Sequence, residues 1–310
     1  MNTPTPFKRH ARVLLLSILC SLIALCACAP AAPALTATPA QPGVPTGPYL
    51  GQPLPAAEPL AFGAALLTGG YHSSPTFTPD GSEMYWGATY ANQAIYFIKQ
   101  TDGVWGSQQR LTLPGGFSQM RDPFLSADGT RLYFLSTAAL PGAADGGKDN
   151  IWVAQREGDA WGAPRPLPDA INSLPLHWTV SVAANGNLYF TSGPDGIGAL
   201  YLARFVDGAY SAPELLPAPL NDPVKLEITP NIAPDETYIL FSRVDTAEDT
   251  PRLYISYATA AGWSEPALVE NVPACVSPVV TPDRGYVICT ANPSQLQWRD
   301  TSFIEELRPG

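Results

Sequence analysis

With 34 prolines and 26 glycines in 310 residues the chain is turn-rich. An interior proline costs a helix about 3 kcal/mol, so an all-helical fold is excluded. Hydrophobic residues make up 45% and charged ones 14%, which also excludes disorder throughout. The formal net charge is −10, and Lys8, Arg9 and Arg12 take three of the 17 basic side chains. The remainder has no basic stripe to neutralise phosphates, so nucleic acid is not an expected partner.

The first element follows those three bases. An apolar run from Val13 to Cys28 is broken only by Ser17 and Ser21, and the next charged residue is Glu58. This is the charge and length pattern of an export signal, and it falls short of the roughly 20 apolar residues a spanning helix needs. The end of the run, Leu25-Cys26-Ala27-Cys28, resembles the lipobox of bacterial lipoproteins. That resemblance implies cleavage before a cysteine that is then lipidated. Small Ala27 makes Cys28 the expected acceptor, whereas bulky Leu25 precedes Cys26. Secretion with cleavage after an Ala-x-Ala-like site is the alternative. Residues 29–57 hold eight prolines and no charge, too little large apolar surface to offset the entropy of ordering them. The expected organisation is a signal peptide at 1–27, a disordered Pro/Ala-rich tether at 28–57, partly polyproline II, and a folded domain at 58–310.

The folded part is a repeat. One turn motif recurs at Asp80-Gly81, Asp128-Gly129, Asn185-Gly186, Asp235-Glu236 and Asp283-Arg284, each followed by a largely apolar strand such as Leu132-Tyr133-Phe134-Leu135. A period near 50 residues with strand-like content points to propeller blades. Four aromatic pairs stand nine residues apart: Tyr96 and Trp105, Trp152 and Trp161, Tyr201 and Tyr210, Tyr254 and Trp263. Each brackets a second turn, so every repeat carries two hairpins. The expectation is an all-β propeller of four-stranded blades, strands A to D, with these aromatics packing blade against blade. The stretch Ser74-Pro75-Thr76-Phe77-Thr78-Pro79-Asp80-Gly81, with a following strand like Leu188-Tyr189-Phe190, resembles the WD40-like Pro-Asp repeat of TolB-like β-propellers. Ala127, Val180, Ala184 and Glu236 depart from that pattern.

Five blades are the literal count. The fifth repeat has a C strand at Leu296-Gln297-Trp298 but no Trp nine residues beyond it to mark a D strand. Leu60-Ala61-Phe62-Gly63 can supply the missing outer strand and close the ring. Six blades, with Phe303 to Leu307 and residues 48–70 building a degenerate sixth, are the alternative. Cys275 and Cys289, on the A and B strands of one hairpin, stand about one pair out of register. They are expected as two buried thiols, with a disulfide as the alternative.

In a propeller the D-to-A connections converge on one mouth of the central channel, which makes the residues just before strand A the candidates for binding. One column there is small and polar: Ser74, Asp122, Thr179, Thr229 and Ser277. Two residues earlier stand His72, Met120, His177, Glu227 and Cys275, on the same side by the strand period. Two imidazoles and a carboxylate, His72, His177 and Glu227, suit a divalent transition metal if they converge; solvated or capping roles are the alternative. Arg121 and Trp178 offer an anion clamp and a stacking platform for a sugar or a peptide end. No Gly-x-Ser-x-Gly elbow, phosphate-binding glycine loop or His-Glu-x-x-His stretch occurs, and no cofactor is expected. The leading expectation is a surface-anchored, non-catalytic binding or scaffolding propeller of the bacterial envelope, lipid-anchored to the membrane through Cys28. Its partner would be an envelope protein or a saccharide. The alternative is a glycan-directed hydrolase using Asp122 and Glu227, and a purely structural role is a third reading.

Overall fold

Every repeat turns on the same short side chain. Oδ1 of Asp80, Asp128, Asn185, Asp235 and Asp283 accepts the backbone N–H two residues on, at 3.0, 3.0, 3.0, 3.3 and 3.0 Å. In three turns the hydroxyl two residues before, of Thr78, Ser126 or Thr281, donates to the same oxygen. The next residue must be left-handed, with φ of 70° at Gly81, 69° at Gly129, 92° at Gly186, 58° at Glu236 and 59° at Arg284. Asp or Asn closes the turn because its carboxyl or amide group is one methylene from the backbone, and Gly follows because it adopts positive φ without strain.

The computed structural model describes residues 45–310 apart from 65, 69, 90–92, 118, 144–145, 175–177, 194–197 and 246–249. It is a five-bladed β-propeller. Blade 1 pairs Thr76–Phe77, Glu83–Ala88 and Ala94–Thr101, with outer segments Val104–Trp105 and Gln109–Arg110. Blade 2 runs Met120–Leu125, Arg131–Ser136 and Asn150–Glu157, then Ala160–Trp161 and Arg165–Pro166. Blade 3 runs Trp178–Val182, Leu188–Ser192, Ala199–Ala203 and Glu214–Leu215, and blade 4 runs Leu226–Ile232, Tyr238–Val244, Pro251–Thr259, Gly262–Trp263 and Ala267–Leu268. Blade 5 has Val276–Val280, Tyr286–Asn292 and Gln295–Asp300, and its outer strand is the N-terminal Leu60–Phe62.

The spaced aromatics pack as blades require. On the B and C strands Trp86 lies opposite Tyr96, Phe134 opposite Trp152, Phe190 opposite Tyr201 and Phe241 opposite Tyr254. Of their partners nine residues on, Trp105 and Trp161 are buried. Phe62 closes the ring: its strand sets Leu60 opposite Trp298, and its ring lies edge-on to Trp298 at 5.1 Å with no exposure.

Order begins before the expected boundary at 58. Thr46 bridges Val104, and Trp105 donates its backbone N–H to Pro45 at 2.9 Å and its indole N–H to Gly47 at 2.8 Å. Tyr49 and Leu50 are buried between blades 1 and 5, Tyr49 edge-on to Phe77, Tyr286 and Trp298. These two side chains carry the apolar area that a count of prolines overlooks, so 45–57 belong to the domain rather than to the tether. Residues 1–44, Cys28 among them, lie outside the described residues.

The six-blade alternative fails at the other end. Phe303–Glu306 is one helical turn, with Phe303 and Ile304 buried against Tyr238 and Tyr257. Cys275 and Cys289 are joined by a disulfide, not left as two thiols. A bulge between Val276 and Val279 advances the A strand by one residue and takes up part of the register offset. Among the described residues no helix is long and apolar enough to cross a membrane.

Candidate functional site

The mouth is built from irregular A strands. In blades 2 to 5 the pairing with strand B slips at Asp122, Thr179, Thr229 and Ser277, whose φ values are 51°, 34°, 54° and 52°. Proline follows in three of them, at Pro123, Pro230 and Pro278; it has no N–H to donate and fits a bulge on an inner strand. The freed N–H groups are met by the neighbouring blade. Ser277 N–H donates to Thr229 Oγ1 at 3.1 Å, and Thr229 N–H to Thr191 Oγ1 at 2.9 Å. One step along, Leu125 N–H reaches Thr76 Oγ1 at 3.1 Å and Ile232 N–H reaches Ser181 Oγ at 2.9 Å. Ser74 closes the circle, its Oγ 3.1 Å from Thr290 Oγ1. Ser74, Thr229 and Ser277 are thus buried stitching between A strands and hold little for a ligand.

Those strands leave a narrow axis. The cavity enclosed by Ser73, Ser74, Asp122, Phe124, Thr179, Asn231 and Ser277 has a volume of about 20 Å³, room for about one water. A sugar ring or a peptide residue cannot enter, so a ligand must sit on the rim.

At the rim, blades 1 and 2 touch through a charged pair. His72 Nδ1 lies 2.8 Å from Asp122 Oδ1; Asp122 is 3% exposed, whereas the imidazole is about one-third exposed (34%). The Asp122 charge raises the His72 pKa, burial and the Arg121 charge oppose it, and the hydrogen bond to Asp122 adds to the rise. Arg121, on the same strand as Asp122, is committed elsewhere: its guanidinium pairs with Asp149 and donates to Gln93 Oε1 at 2.5 Å. Trp178, the residue matching Arg121 on blade 3, is partly exposed, and the Oγ1 of adjacent Thr179 is buried with no partner among the described residues.

Glu227 stands apart. It is 1% exposed, directly opposite Arg243, whose Nε donates to Oε1 at 2.7 Å, and its Oε2 accepts the Asp222 N–H. Arg243 also donates to the Pro219 and Leu220 carbonyls, so the pair pins the segment entering blade 4. Burial pushes the Glu227 carboxyl up, while Arg243 and the Asp222 N–H pull it back. His177 lies outside the described residues, and among the described ones no three His, Cys, Asp or Glu side chains gather as metal ligands. The structure therefore brings together His72, Asp122, Arg121 and, around the same cavity, Thr179, while Glu227 serves its own blade.

Sequence reasoning missed Gly87, Gln93 and Asp149. Gly87 left a signal, a glycine inside a strand where the other repeats carry Leu135, Ser192, Ser242 and Thr290. A Cβ there would stand 2.9 Å from Ser73 Oγ, 3.2 Å from Asp122 N and 3.5 Å from His72 Cβ. The glycine lets blade 2 close onto His72.

No protein-family model matches the chain, and no curated protein matches its sequence. Solved structures do. The TolB from Agrobacterium tumefaciens is 13% identical with a TM-score of 0.52, over 74% of this chain and 76% of that one. TolB from Acinetobacter baumannii is 14% identical with a TM-score of 0.49, over 74% of this chain, which spans about half (54%) of that protein's length. A gluconolactonase from Xanthomonas campestris is 13% identical with a TM-score of 0.47, over 82% of this chain and 97% of that one. At such identities the likeness is one of fold alone: this chain is a β-propeller, similar in fold to the Agrobacterium structure.

Proposed function

We propose that this propeller is a non-catalytic binding or scaffolding protein of the bacterial envelope that engages a protein segment or a saccharide on its channel rim. The observation that carries this reading is the state of the two carboxylates. Hydrolysis of a glycoside asks for two carboxyl groups facing one cleft, about 5 to 9 Å apart. Here Asp122 is buried against His72 of the neighbouring blade and Glu227 is buried against Arg243 of its own blade, each with its own partner. Asp122 lines an axial cavity that admits about one water, and Glu227 does not line it, so the two acids share no cleft there for a sugar. What the rim does offer is an imidazole and a partly exposed indole, groups suited to a charge-assisted hydrogen bond and to stacking on a ring.

The basic start, the apolar run and Ala27-Cys28 support export and a lipid anchor at Cys28, with the domain outside the cytoplasm. Labelled palmitate should enter the wild-type chain and not Cys28→Ser; equal labelling of both removes the anchor. For turnover, the purified protein is incubated with envelope glycans and assayed for new reducing ends. None are expected. Reducing ends formed by the wild type and lost in Asp122→Asn or Glu227→Gln would establish the hydrolase reading instead.

A further inference from the structure

A buried carboxylate is stable only with a positive charge or hydrogen-bond donors beside it, because it has left water behind. Around Asp122 two cations are in reach. Arg121 spends its guanidinium on Asp149 and Gln93, which leaves His72, at 2.8 Å, as the partner in direct contact. Asp122 fixes Nδ1 as the inward donor, and the rest of the ring faces outward: Nε2 has no partner among the described residues and is not one of the buried unpaired atoms. The imidazolium therefore presents one N–H to the rim, backed by a buried anion that sets its direction. Gly87 makes room for the two strands, where the other repeats carry Leu135, Ser192, Ser242 and Thr290, and Met120 occupies the position of His72 in blade 2. Thr179 lines the same axial cavity as Asp122, and Trp178, next to it in the sequence, is partly exposed.

We propose that His72, oriented by Asp122, is the donor of a carboxylate-binding subsite on the rim, with Trp178 as the apolar wall, and that it takes an acidic saccharide of the uronate type. This deepens the binding function proposed above and rests on it. An imidazolium suits a carboxylate better than a hydroxyl, since both partners are ionised and the bond is charge-assisted. The indole suits the flat apolar face of a sugar ring. The charged groups around His72 are Asp122, Arg121 and, behind it, Asp149. A uronate is ionised above about pH 4, and His72 is protonated up to a pH above the ordinary imidazole value of about 6.5. Binding should hold between those limits and weaken above them.

The test is calorimetric titration of the purified full chain with D-glucuronate and with D-glucose, at pH 6 and pH 9. Glucuronate should bind at least about tenfold more tightly than glucose at pH 6, the scale of one charge-assisted bond, and the preference should largely vanish at pH 9. His72→Gln should lack the preference at both pH values. If that variant does not fold, the pH dependence of the wild-type preference decides alone. Equal affinity for the two sugars overturns the subsite but leaves rim binding standing. A preference that is independent of pH, or that survives in His72→Gln, assigns the carboxylate to another residue and also overturns it. If neither sugar binds while other envelope fragments do, the proposal falls and the binding function does not.

Discussion

Glu83 ties blade 1 to blade 2, and replacing it with Gln should weaken the propeller in a pH-dependent way. Its carboxylate takes two bonds from Arg156, at 2.8 and 2.7 Å, one from Lys99 at 2.7 Å and one from the Tyr85 hydroxyl at 2.7 Å. Arg156 in turn lies 5.1 Å from the Trp161 ring, so the group spans both blades. Burial alone would raise the carboxyl, but Arg156, Lys99 and Tyr85 hold it down at about 2, against 4.5 for a free glutamate. A depression of that size is worth about 3 kcal/mol. Because the folded pKa is the lower one, the stabilisation is present above about pH 4.5 and is lost as pH falls toward about 2. Glu83→Gln removes the charge and leaves Arg156 facing an amide. The cost at pH 7 should be about 2 to 3 kcal/mol, a little below the usual range for a broken buried pair because Arg156 is partly exposed, or roughly 4 to 12 °C in Tm. Urea titrations of both proteins at pH 7, 5, 4 and 3 measure it. The gap should narrow steadily below pH 4.5. A gap under about 0.5 kcal/mol at pH 7, as for an ordinary surface change, or one unchanged at pH 3, would refute the role of this cluster.

Two further substitutions follow from the packing and the turns. Phe62→Ala should cost about 3 to 5 kcal/mol by urea unfolding, because the ring is fully buried on Trp298 and its strand closes blade 5; a loss under about 1 kcal/mol would mean that closure does not depend on it. Arg284→Gly should stabilise by about 0.5 to 1 kcal/mol, since Arg284 sits at φ 59° and its exposed 3.4 Å pair with Asp235 contributes little. Glu236→Gly, at φ 58°, should instead destabilise, because Glu236 accepts bonds from Tyr189, Asn187 and Asn185; thermal melts in which both glycines act alike would refute the distinction.

Much of the fold is local chemistry repeated, and this is why it was legible. The Asp oxygen bonds two residues along, the left-handed position follows it, and the nine-residue aromatic spacing spans a single hairpin, so each lies within one short window of sequence. Even the closing strand showed, since an array with one strand short has to find it elsewhere. The strap at 45–57 did not, because Tyr49 and Leu50 find their partners on blades 1 and 5, far along the chain. The site divides in the same way. The pairing of Glu227 with Arg243 was nearly readable: the two stand eight residues either side of Asp235, and the bulge at Thr229 supplies the one-residue shift that sets them opposite. The pairing of His72 with Asp122 was not. It crosses between blades, 50 residues apart, and depends on a missing Cβ at Gly87 and a bulge at Asp122, neither of which strand register reveals. Register placed His72 with Glu227 and His177; the structure turns His72 and Glu227 to different partners.

The claim that the rim binds without turnover is tested most directly by nitrogen-labelled full-length protein titrated with soluble peptidoglycan fragments. The indole resonance of Trp178 and the imidazole of His72, one of three histidines in the chain, are followed while the same samples are assayed for new reducing ends. The account predicts that both resonances move in a saturable way and that no reducing ends appear. Resonances at Trp178 and His72 that stay fixed while others far round the propeller shift, or reducing ends that accumulate and disappear in Asp122→Asn, would contradict it.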